Sequence, residues 1–248
     1  MRFVIREQPY EKPLAGGQLR YERDGRATGA VESWRLSQAL EDYQFLRVDL
    51  DARQAKSGHT YLYHLVLHEN GRPERLQYRF WGSGLEVSGH VLLLDGTVTA
   101  SRLVNGRRFE EEIAVSGRPA FWFPSSVGLS LLASLAEEET AAAVTLQAPA
   151  CPEPGPFTAF RAGSESAREG SPVAPDSVFA LQQIEIHLHY GDKERLALME
   201  QEWTVRPLSI YWNGHTRTIW LDANSAVLKM VRDDGLTAVA TRYIRYGI

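Results

Sequence analysis

Cysteine is almost absent from this chain, with Cys151 the single one in 248 residues. No intrachain disulfide can form, and a zinc site built from several thiolates is excluded. Cys151 sits in Ala150-Cys151-Pro152-Glu153-Pro154 with no cation beside it to lower its pKa, so it reads as an inert thiol. Basic charge is not in excess either: 27 Lys and Arg against 31 Asp and Glu give a formal net charge of −4. Phosphate affinity needs a basic surface, so no nucleic-acid partner is expected. The pair Arg107-Arg108 is followed by Glu110-Glu111-Glu112, which cancels its field within a Debye length of roughly 8–10 Å. No apolar run approaches the roughly 18 residues of a transmembrane helix. The stretch 1–7 lacks the apolar core of about 7–15 residues that marks a secretory signal. These absences give a cytoplasmic, non-membrane expectation.

Catalytic signatures are missing as well. No G-x-S-x-G elbow, phosphate loop or H-E-x-x-H is present, and Gly82-Ser83-Gly84-Leu85-Glu86-Val87 lacks the third glycine of a dinucleotide fingerprint. Carboxylate doublets such as Glu41-Asp42 and Asp233-Asp234 point to opposite sides of a strand and define no acid–base pair. An acid–base pair on facing strands leaves no trace in sequence, so catalysis is weakened as a reading and not removed.

What the chain does have is alternation. Tyr61, Tyr63, Leu65 and Leu67 share one face of a strand, with Leu62, His64, Val66 and His68 on the other. Asn70-Gly71 signals a two-residue hairpin, and Arg75–Trp81 returns with Leu76, Tyr78 and Phe80 aligned. Further turns at 82–84, Asp95-Gly96 and Asn105-Gly106 complete a meander to Val115. Strand patterns resume at Ile184–Tyr190, Thr216–Leu221, Ala226–Val231 and Leu236–Tyr246, and Thr140–Gln147 reads as one more.

Between the two strand regions, Pro124-Ser125-Ser126 offers a helix cap ahead of Val127, Leu129, Leu131, Leu132 and Leu135. A short helix that is apolar nearly all round must be buried on more than one side. From about 149 to 177 the composition turns to Pro, Gly, Ser, Glu and Ala, which predicts a long loop. The C-terminal strands would be marginal alone, so one β-rich domain over 1–248 is expected. Strand twist accumulates in so large a sheet. The expected fold is therefore mainly β: a large curled antiparallel sheet or incompletely closed β-barrel with one short apolar helix at its mouth.

Two features carry candidate chemistry. His187 and His189 project from one face of a strand and can offer two imidazoles to a divalent metal, with His64, His68, His215 or Glu185 as third ligand. Alternate polar residues on a one-sided sheet also face water in the ordinary way. The second feature is Phe121-Trp122-Phe123-Pro124 leading into the helix, where a wide sheet would leave an apolar hollow. Trp122, Phe123, Val127, Leu131 and Leu135 are the residues expected to line it, although an ordinary core helix fits the same pattern.

The meander Tyr61–Val115, the helix Val127–Leu135, and the run Thr218-Ile219-Trp220-Leu221-Asp222 with Val227-Leu228-Lys229-Met230 together resemble bacterial proteins of the lipoprotein-carrier type. The resemblance covers most of the chain. It implies an incomplete β-barrel under an apolar helical lid and a tendency to hold acyl chains. The family's secretory signal is not matched at 1–7. The functional reading is a non-enzymatic binding protein for a lipid-like or other hydrophobic small molecule, with no cofactor. Its alternatives are a metal-dependent enzyme on the His187/His189 pair, or an interaction module that self-associates through an exposed sheet edge.

Overall fold

A computed structural model describes residues 8–39, 43–55, 58–82, 84–117, 119–135, 139–147 and 177–247. Eight strands come first: β1 (Lys12–Arg23), β2 (Arg26–Gln38), β3 (Tyr43–Asp51), β4 (Thr60–His68), β5 (Pro73–Gly82), β6 (Leu85–Leu94), β7 (Thr97–Val104) and β8 (Arg107–Ala114). After a short β9 (Ala120–Trp122), helix α1 (Ser126–Leu129) runs on as a 3₁₀ segment (Ser130–Leu135), followed by β10 (Thr140–Leu146). The remainder is β11 (Leu181–Tyr190), β12 (Glu194–Leu198), β13 (Gln201–Trp212), β14 (His215–Leu221), β15 (Val227–Arg232) and β16 (Leu236–Arg245). The expected 149–177 loop lies outside the described residues except for Ser177, and Cys151 lies outside them too.

One sheet holds all sixteen strands, in the order β8-β7-β6-β5-β4-β3-β2-β1-β16-β15-β14-β13-β11-β10-β9, with β12 pairing off this path onto β13. The first and last strands therefore meet in its middle, and β1 pairs antiparallel with β16 from Ala15↔Arg245 to Arg23↔Leu236. The sheet is not closed. It does curl back on itself, because the backbone N–H of Leu181 in β11 donates to the Glu111 carboxylate of edge strand β8 at 2.8 Å. The mainly β, open, single-sheet expectation holds. One detail differs: β9 and β10 pair in parallel, so the sheet is mixed.

Turn chemistry fixes the hairpins. Asn105 and Gly106 both take positive φ, 48° and 81°, as a two-residue turn matched to strand twist requires. Asn70-Gly71 behaves differently. Strand β5 starts only at Pro73, which has no N–H to give the ladder, so the connection from His68 is a four-residue loop. The sequence reading assigned no strand to 194–212, where β12 and all of β13 lie.

The predicted alternation places the core. Tyr61, Tyr63, Leu65 and Leu67 of β4 and Leu76, Tyr78 and Phe80 of β5 all enter the buried cluster. On the opposite face, Glu11 just ahead of β1 makes a buried bidentate pair with Arg47 of β3, at 2.7 and 2.6 Å. Ser37 of β2 donates to the same carboxylate at 2.5 Å. Burial alone would raise the Glu11 carboxyl, but the bonds from Arg47 and Ser37 hold it below the ordinary glutamate value.

Candidate ligand cavity beneath the helix

The helix forms where the sequence places its cap. Ser125 is extended, and its Oγ accepts from the Gly128 N–H at 2.6 Å. Only glycine fits at 128, because a Cβ there would lie 2.2 Å from the Phe123 carbonyl oxygen. The helix is shorter than the Val127–Leu135 span expected of it. After Leu129 the chain tightens to 3₁₀, and the Ser130 and Ser134 hydroxyls donate back to the Val127 and Leu131 carbonyls at 2.7 and 3.0 Å. Ser126, Val127, Gly128 and Leu129 are all buried, as an all-round apolar turn demands.

A buried carboxylate pins this turn to the sheet. Glu32 of β2 sits on the apolar row Ala30, Trp34 and Leu36 and is fully buried. Its oxygens accept from the Ser126 and Val127 N–H groups at 3.1 and 3.0 Å. The Tyr21 hydroxyl donates to Glu32 and lies 2.7 Å from Ser126 Oγ. Glu32 makes no ion pair among the described residues. Burial accordingly raises its carboxyl above the ordinary value, although the bonds from Tyr21, Val127 and Ser126 oppose that. Further along, the Tyr190 hydroxyl donates to the Ala133 carbonyl at 3.0 Å, and Tyr63 to the Pro124 carbonyl at 3.3 Å.

Between this roof and the sheet lies a cavity of about 290 Å³. Val127 and Leu131 line it from above, with Ala15, Trp34, Leu36, Leu46 and Leu67 from β1–β4 and Val227 from β15 as walls. Gly71, Ser134, Asn224, Ser225 and Arg245 are exposed and form the rim, so the hollow opens to solvent. Among the described residues no histidine or carboxylate lines it. Of its three seryl hydroxyls, Ser130 and Ser134 are committed to backbone carbonyls, and Ser225 has no base beside it in the lining, so none is set up as an activated nucleophile. The chemistry on offer is burial of an aliphatic group.

Of the five residues expected at this hollow, two line it. Phe123 is instead fully buried against Tyr63, ring centroids 4.5 Å apart, and Trp122 packs edge-on to Trp212 at 5.2 Å. Leu135 is partly buried against the core. Sequence reasoning missed the walls contributed by β1–β4, together with Glu32, Val227, Tyr243 and Arg245. A glutamate on the otherwise apolar row Ala30–Leu36 was the one available signal.

The histidines are dispersed. His187 and His189 lie on the exposed face of β11. His187 Nδ1 is 3.0 Å from Thr140 Oγ1, and its Nε2 is 3.3 Å from Glu185. His68 pairs with Glu74 at 2.9 Å and His215 with Asp233 at 3.6 Å. His64 is partly buried beside Phe45 and Arg47, and burial lowers it to about 4. Among the described residues no group of three or more His, Cys, Asp or Glu side chains is placed to hold a metal ion.

A second hollow, about 560 Å³, lies on the face away from the core. Two cross-strand rows build it: His64, Gln77, His90 and Ser101, and beside them Leu62, Arg79, Ser88, Leu103 and Arg108. It is larger than the cavity, and arginines and histidines share its lining with Leu62 and Leu103.

No family model matches the chain, and no curated protein matches it. Among solved structures, the crystal structure of the hypothetical lipoprotein YmcC from Escherichia coli (K12) aligns over 99% of this chain and 93% of that one. The identity is 9% and the TM-score 0.30. Among the described residues no helix is long and apolar enough to cross a membrane.

Proposed function

We propose that this chain is a non-enzymatic binding protein that holds a lipid-like or other hydrophobic small molecule in the cavity beneath α1. One observation carries the reading: an apolar hollow of about 290 Å³ stays open between the helix and the sheet, with an exposed rim. That volume falls at the lower end of small-molecule sites, which run from about 300 to 1,000 Å³. Burying a methylene is worth about 0.8 kcal/mol, so eight of them give a gross gain of about 6 kcal/mol before association costs.

The test uses a neutral apolar dye, N-phenyl-1-naphthylamine, titrated into the full chain. One saturable site is expected, with binding weakened at least tenfold by Leu131→Arg while the urea midpoint hardly moves. Absence of saturable binding, or equal binding by the variant, refutes the reading.

A further inference from the structure

Of the eighteen described residues that line the cavity, Arg245 is the single charged one. It ends β16, opposite Ala15 of the cavity wall in the β1–β16 ladder. Its side chain is exposed and lies beside the Tyr243 hydroxyl, another group of the rim. A guanidinium presents five N–H donors, so one contact to a tyrosine leaves most of its fork available. Asp222, on the other side of the Tyr243 hydroxyl, is already hydrogen-bonded. It accepts from the Asn224 and Ala226 N–H groups at 2.9 and 2.8 Å and from the Tyr243 hydroxyl at 2.8 Å, and it does not line the cavity.

An apolar floor whose described lining carries one cation, with Asp222 behind it already held by three donors, is complementary to one kind of molecule. Resting on the binding function above, we infer that the ligand is a single-chain amphiphile with an anionic head. Its aliphatic tail runs beneath Leu131 toward Trp34 and Leu46, and its carboxylate or phosphate meets Arg245 at the rim. A hollow of about 290 Å³ takes one chain of medium length. Two-chain lipids are too large. A head left in water at an exposed rim is worth less than the tail, since exposed charge pairs contribute about 1 kcal/mol or less. Arg245 therefore selects among ligands more than it holds them.

The experiment is isothermal titration of the full chain with sodium decanoate, 1-decanol and decyltrimethylammonium, all carrying the same tail. Decanoate is expected to bind about twofold to fivefold more tightly than decanol, with the cationic amphiphile weakest. The preference should vanish in Arg245→Gln, persist in Arg245→Lys, and shrink between about 10 mM and 500 mM salt. Decyl phosphate run beside decanoate tells a phosphorylated amphiphile from a free fatty acid, by whichever binds tighter. Equal affinity for decanoate and decanol overturns the head-group inference and leaves the cavity reading standing. Failure of all the amphiphiles to bind overturns both.

Discussion

The two faces of this sheet each bury a glutamate, and they solve the problem in opposite ways. On the face away from the core, Glu11 faces a guanidinium at 2.6 and 2.7 Å and stays ionised more easily than in water. On the core face, Glu32 has hydrogen-bond donors and no cation, and ionises less easily. The first arrangement locks strands β2 and β3 to the chain just ahead of β1. The second holds down a helix turn that would otherwise leave two N–H groups unsatisfied beneath an apolar roof. Each face also carries a hollow, and the difference extends to them: arginines and histidines line the groove on the outer face, and mostly aliphatic side chains line the cavity beneath α1.

The largest effect expected is from Glu11→Ala, which strands the Arg47 guanidinium in a buried site and should cost about 3–5 kcal/mol in urea unfolding. Converting Glu11 and Arg47 together to leucine and methionine should recover most of that loss, because the desolvated charge goes with its partner.

The pH dependence separates the two carboxylates by sign. Glu11 has a lowered folded pKa, so its contribution is complete above the ordinary glutamate value and disappears as pH falls through the folded one. Glu32 has a raised folded pKa, so its contribution is complete below the ordinary value and is lost as pH rises through the folded one. Urea midpoints of wild type minus Glu11→Gln should therefore climb with pH across the carboxylate range, and those of wild type minus Glu32→Gln should decline. Slopes of the same sign would break the contrast.

The smallest effect serves as the control. His90→Ala, in the exposed groove, should change stability by no more than about 0.5 kcal/mol and leave dye binding unaltered.

Alternation and turn residues made the N-terminal meander legible, because Tyr61–Leu67 and Leu76–Phe80 each put their apolar set on one face. The helix start was legible from Ser125, whose cap is as expected. The 3₁₀ continuation was not, since it depends on Ser130 and Ser134 turning their hydroxyls to the backbone. Strands β12 and β13 were missed in a segment where Pro207 interrupts the donor pattern. Only Val127 and Leu131 of the cavity were within reach of sequence reading. The β1–β16 pairing joins the β1–β4 wall to Val227, Tyr243 and Arg245, setting Ala15 beside Arg245 across nearly the whole length of the chain. Strand order of that kind leaves no local mark in residue polarity.

The central claim is that the roofed hollow, and not the groove, is where an apolar ligand resides. A crystal structure with ω-bromodecanoate tests it directly through the anomalous signal of bromine. The account predicts a bromine peak beneath Leu131, between Trp34 and Leu46; a peak beside Arg79 and His90, or none at all, would contradict it.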